Sequence, residues 1–212
     1  MPPIASSDRP RVYTRPSGWP VHRSPRWLLL AGALLLIGVV AVALVHRPST
    51  AERASDMRGF LAEVNTDIES CSGGVRESLI ALHDVQAEHF SNSADISQGV
   101  SVATQGAANC APANNEQIDD LENYQVPESL DGFGLVHVVS DMVAWAAPDA
   151  ERVQTDVAQV LSSTTPQARS TAQATLTRDL GTLNADRAAI DAPIATAIKA
   201  LSMHDSPPRL AG

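Results

Sequence analysis

Aromatic side chains are scarce in this chain: three Trp, two Tyr and three Phe among 212 residues. There are two cysteines and a single lysine. Two cysteines exclude both a disulfide-dense miniprotein and a zinc site built from four cysteines. Gly and Pro stay modest at 12 and 14, and 44% of the residues are hydrophobic. That excludes a collagen-like chain and one disordered throughout. No stretch sustains the period-two alternation of a half-buried strand, so no sheet is expected. Phosphate-binding G-x-x-x-x-G-K-[ST] and G-x-G-x-x-G patterns are missing, as are the zincin H-E-x-x-H and the G-x-S-x-G elbow. No cofactor is implied.

Charge is distributed unevenly. Residues 1–26 carry Arg9, Arg11, Arg15, Arg23 and Arg26 against Asp8, a net of +4 (5 − 1). Residues 27–212 carry 10 basic and 23 acidic residues, a net of −13 (10 − 23). Such a balance repels phosphate backbones and argues against nucleic acid as a partner. Between the blocks, residues 27–45 (WLLLAGALLLIGVVAVALV) hold no charge and no proline. As a helix they would span about 28 Å, close to the hydrocarbon thickness of a bilayer. Arginines flank the N-terminal side, which predicts an inward N-terminus and an outward C-terminal region. The run is longer than a signal-peptide core, and its best small-residue pair, Ala41 and Ala43, lies inside it. It therefore reads as an uncleaved signal anchor rather than a cleaved leader. Arg outnumbers Lys fourteen to one and Ala is abundant, the usage of GC-rich bacterial coding. The expected location is a bacterial plasma membrane, crossed once.

Four regions follow: a disordered Pro/Arg-rich cytoplasmic tail over 1–26, an anchor over 27–45, an extracytoplasmic helical domain over 46–205, and a frayed tail over 206–212. Pro3, Pro10, Pro16, Pro20 and Pro25 keep the first region from forming a stable helix.

The outer region has the 3.6-residue period nearly throughout. Ser49 with Glu52 forms a capping-box signature. Met57, Leu61, Val64, Ile68, Cys71, Val75, Leu79 and Leu82 then make one seam, predicting a helix to about residue 90. Residues 91–93 (Ser-Asn-Ser) have turn chemistry. Ile96, Val100, Ala103, Ala107 and Cys110 mark a second helix, and Ile118, Leu121 and Tyr124 a short amphipathic piece. A further helix is expected over 128–147, with Val136 on its inner face and a break at Pro148. Its continuation runs to about Ser162. Thr165 and Pro166 open the last helix, which Pro193 should bend. The fold class is all-α: a transmembrane helix, then an elongated, antiparallel, up-down four-helix bundle. Seams of Ala, Val and Leu favour close helix packing over a roomy cofactor pocket.

Cys71 and Cys110 both lie on predicted seams, and their midpoint, 90.5, falls next to the 91–93 turn. Residues equidistant from an antiparallel turn lie side by side, and the expected compartment is oxidising, so a structural disulfide is predicted. No C-x-x-C spacing or basic activator suggests a redox site.

The remaining constellations are weaker. His83, Asp84, Glu88 and His89 in HDVQAEH have residue types suited to zinc, but His83 and His89 do not share a helix face, so the segment reads as a solvated helix end. Asp119, Asp120 and Glu122 lack EF-hand spacing. His137, among Leu135, Val136, Val138 and Val139, reads as a packed core histidine. Trp145 is the one aromatic offered as a binding residue, against a core anchor. No catalytic residue is identified. The expected role is a non-enzymatic envelope scaffold or interaction module. The bilayer and another envelope or membrane protein, or a second copy, are its partners. The alternative is an extracytoplasmic ligand-binding or sensor accessory that signals through a membrane partner.

Overall fold

The computed structural model describes residues 48–211. The cytoplasmic-tail and anchor assignments, 1–26 and 27–45, lie outside the described residues. Among the described residues no helix is long and apolar enough to cross a membrane.

The described region is helical, with no strand. The first helix, α1 (Thr50–Ala87), starts where Ser49 places it. The Ser49 hydroxyl accepts from the Glu52 amide at 3.1 Å, and the Ser49 amide donates to the Glu52 carboxylate at 3.4 Å. Its buried stripe is Met57, Leu61, Val64, Ile68, Cys71, Val75, Ser78, Leu82 and Val85, an unbroken 4-3 repeat. Ser78, rather than Leu79, occupies the buried position of that repeat; Leu79 is half-buried. The helix ends because His89 and Phe90 adopt left-handed backbone (φ 55° and 56°).

Asn92 caps α2 (Ser93–Cys110) by accepting from the Ala94 amide at 3.0 Å. The innermost face of α2 is Gly99, Ala103, Gly106 and Cys110, all small. Ile96, Val100 and Ala107 flank it, half-buried. A stripe without bulk lets two other helices approach, and α2 packs on both α1 and α5 (Glu151–Ser162).

Short α3 (Glu116–Glu122) lies on α1 through the wholly buried Ile118 and Leu121. The helix expected over 128–147 does not form as one element. Residues 128–130 form one 3-10 turn, and Gly132 and Gly134 take positive φ (90° and 72°). Helix α4 therefore begins only at Leu135 and runs Leu135–Ala144. The intervening loop is tied to the start of α1. Arg53 donates to the Ser129 carbonyl at 2.8 Å and stacks over the Phe133 ring at 4.7 Å, and the Ser129 hydroxyl bonds Asp56. With the helix start displaced, Val136 and His137 face solvent, so neither is the core residue expected.

Beyond α4 the chain continues as a wide π-type stretch, Trp145–Ala150, broken at Ala147 (φ −132°, ψ 111°) before Pro148. Helix α6 (Pro166–Ala200) opens with the Thr165 hydroxyl accepting from the Ala168 amide at 3.2 Å. It continues helical through Pro193 and packs on α5 and α4.

The C-terminal segment is not frayed as expected. Leu210 and Ala211 are buried. The Ser72 hydroxyl donates to the Arg209 carbonyl and accepts from the Ala211 amide, both at 2.9 Å. Arg58 pairs with Asp205 at 3.6 Å. From 205 to 211 six extended residues span about 20 Å, and from 58 to 72 fourteen helical residues span about 21 Å. The tail thus runs extended alongside α1.

Candidate functional site

The centre of the domain is covalent and polar. Cys71 and Cys110 are joined, with Cα atoms 4.6 Å apart. Beside them Gln154, fully buried, donates to the Cys110 Sγ at 3.0 Å and to the Ala150 carbonyl at 3.3 Å. Its carbonyl oxygen accepts from the Ser78 hydroxyl at 3.3 Å, and that hydroxyl also lies 2.7 Å from the Gly74 carbonyl. Gln154 reaches this position because Gly74 and Gly106 carry no side chain. A Cβ on Gly74 would sit 2.9 Å from Gly106 Cα, and one on Gly106 would collide with the Gln154 carboxamide. The single Ser78 proton is shared between the Gly74 carbonyl and the more distant Gln154 oxygen, and the contacts tie α1, α2 and α5 together around the disulfide.

The other residues singled out by sequence do not assemble. His83 and Asp84 are exposed on the last turns of α1, 3.4 Å from each other. Glu88 caps the helix, and His89 stands in the left-handed turn beyond it, so the chain leaves the helical path between them. Among the described residues no group of three or more His, Cys, Asp or Glu is arranged to hold a metal ion. Trp145 is wholly enclosed and so cannot serve as a surface aromatic.

Several carboxyls are buried. Asp67 on α1 is pushed up to about 6 by burial, with Glu63 and Asp120 adding repulsion. Asp156 on α5 is also raised to about 6, by burial and then by its hydrogen bond and charge contact with Asp179 on α6. Asp179 moves the other way, because Arg178 binds it at 2.8 Å. A carboxyl beside a carboxylate can share a proton; neither Asp156 nor Asp179 lines the two grooves described next.

One groove, about 420 Å³, lies between α1, α6 and the C-terminal tail. Arg76, Leu79, Ile80 and His83 stand at i, i+3, i+4 and i+7, one face of α1. Arg187 enters from α6, and Arg209, Leu210 and Ala211 from the tail. Arg187 donates to the Leu210 carbonyl at 3.4 Å and lies 4.0 Å from Asp191. Arg76 and Arg209 form no ion pair among the described residues. Ile80 is 54% exposed, an unusual degree for a large aliphatic residue in this domain. A second groove of about 490 Å³ includes Glu122, Tyr124, Val136, Val139 and Val143, with no basic residue.

Sequence reasoning did not single out Arg76, Arg187 or Arg209. The available signal was local: an arginine and a histidine on the same α1 face as Leu79 and Ile80. The other two arginines lie 111 and 133 residues further along the chain, and the tail was expected to be frayed. No known protein family, curated protein or solved structure matches this chain.

Proposed function

We propose that this chain is a single-pass, membrane-anchored envelope protein whose extracytoplasmic helices form an up-down bundle that acts by binding rather than by catalysis. One observation carries the reading: the Cys71–Cys110 disulfide at the centre of the domain. Disulfides persist in oxidising compartments, which agrees with the topology expected from the arginine-rich block and the apolar run at 27–45. The polar groups around the disulfide bond one another across α1, α2 and α5, which suits a scaffold or interaction module for another envelope protein or a second copy.

The test is crosslinking of the full chain in native membranes followed by mass spectrometry, with protease added to intact spheroplasts. Reproducible crosslinks from residues 48–211 to one envelope protein, or to a second copy, support the reading. A protected C-terminal region with free thiols would overturn the topology. A monomer without crosslinks would overturn the module.

The arginine-lined groove favours a second reading, a ligand-binding accessory that passes a signal through a membrane partner. Bundles bind small molecules between their helices. This reading shares the anchor and the compartment of the first and differs in what occupies the domain.

A further inference from the structure

We infer that Arg76, Arg187 and Arg209 bind the head of a small amphipathic anion, a carboxylate or phosphate ester with a short hydrocarbon body. The inference rests on the binding reading above and gives it a ligand class.

Residues 48–211 contain nine basic residues against 23 acidic ones. Three of the nine converge on one groove. Most of the others are spoken for: Arg58, Arg152 and Arg178 by carboxylates, Arg53 and Arg169 by carbonyls and aromatic rings. Guanidinium groups stay protonated, so three gathered together repel one another until an anion joins them. Among the described residues Asp191, 4.0 Å from Arg187, is the one carboxylate within ion-pair reach of the three, and Asp84 lies 3.4 Å from His83. A guanidinium fork matches the paired oxygens of a carboxylate or phosphate, which a solvated chloride does not.

Apolar surface in the same groove points independently to a hydrocarbon body. Ile80 and Leu79 lie on the same face as Arg76, and Leu210 supplies further apolar surface. A purely inorganic anion would leave Ile80 in water. A hydrocarbon body of a few carbons would cover it, and about 420 Å³ lies within the range of small-molecule sites. The tail is already fixed, since Ser72 holds residues 209 and 211 and Arg187 holds residue 210. Binding therefore avoids much of the cost of ordering it.

The experiment uses the full chain in nanodiscs of zwitterionic lipid, titrated with hexyl phosphate, hexanoate, hexylammonium and inorganic phosphate. The readouts are calorimetry and the Ile80 methyl resonance. Both amphipathic anions should shift that resonance and bind about tenfold or more tighter than inorganic phosphate or hexylammonium. Arg76→Gln with Arg209→Gln should weaken binding about tenfold or more, the loss expected for charge-assisted hydrogen bonds. The corresponding double Lys variant should recover part of it. Peptide mapping of the Cys71–Cys110 bond checks that each variant is folded. A final arm adds anionic phospholipid to the nanodisc. A shift of Ile80 before any titrant identifies the anion as a bilayer headgroup, and a shift with dissolved hexyl phosphate alone identifies a soluble ligand. Either supports the site. Equal binding of hexylammonium, undiminished binding by the Gln variant, or no response to either anion would overturn it. None of these results alters the protein crosslinks, so the groove and the interaction module can fail separately.

Discussion

At Gly106 one hydrogen atom sets how closely α1 and α2 approach. A methyl there would strike the Gln154 carboxamide and stand 3.2 Å from Gly74 Cα, both in the buried centre beside the disulfide. Gly106→Ala should therefore destabilise by about 1–3 kcal/mol, the usual cost of overpacking, despite the better helix propensity of Ala. Gly73→Ala is the control. A Cβ on Gly73 would meet no neighbour within 4 Å, so propensity acts alone and should add up to about 1 kcal/mol. Urea denaturation of the two variants should move the midpoint in opposite directions, and a similar loss in both would refute the contact. The sequence showed that Gly73, Gly74 and Gly106 lie near the cysteines. It could not show which glycine mattered, because successive helical residues point about 100° apart. Gln154, the third member of the contact, comes from a helix whose pairing no local pattern announces.

The helices whose ends carry their own chemistry were legible: Ser49 with Glu52, and Thr165 before Pro166, sit where the Ser, Glu and Thr side chains satisfy free amides, whereas Asn92 reads only as part of a turn. The loop at 128–134 was not legible, since Leu130, Phe133 and Val136 happen to keep helical spacing while Gly132 and Gly134 take left-handed backbone. The C-terminal tail was also illegible, because its partner Ser72 lies 137 residues from Arg209. Ser72→Ala removes two of the hydrogen bonds that hold the tail, those to residues 209 and 211, at a cost of about 1–3 kcal/mol. It should raise amide exchange over 209–211 while leaving α2 protected. Cys71→Ser with Cys110→Ser opens a loop with a sequence separation of 39, worth about 4 kcal/mol in the chain-entropy model. That variant should loosen residues 75–106 before α6 responds. If α6 exchanged first, the hairpin would not be the unit that the disulfide stabilises.

For the molecule as a whole, apolar periodicity announced the helices and their inner faces, because it is a property of neighbours in sequence. It could not announce that Asp67, Asp156 and Asp179 would also face inward, since each sits at a helical position that looks solvent-facing until the other helices are placed. These carboxyls make stability depend on pH. Asp67 and Asp156 hold their protons to about 6, against 3.8 for a free aspartate, chiefly because burial disfavours the charged form. Asp186 and Asp191 shift upward for the same leading reason. Between roughly pH 4 and pH 6 the folded chain therefore binds more protons than the unfolded one, and stability falls as pH rises through that window. The contribution is complete below the unfolded value and lost above about 6. Asp179 opposes it: its value is lowered by Arg178, so its contribution is present above the unfolded value and lost as acid protonates it. The balance makes the melting temperature at pH 7.5 lower than at pH 5. Asp67→Asn and Asp156→Asn should each raise the melting temperature at pH 7.5, because a neutral amide replaces a buried charge. Each should also shrink the gain on moving to pH 5. Calorimetric melts of the two variants at both pH values provide the check. A melting temperature that rises from pH 5 to pH 7.5, or variants as pH-sensitive as the parent, would mean that these carboxyls stay ionised and are reached by water in the folded chain.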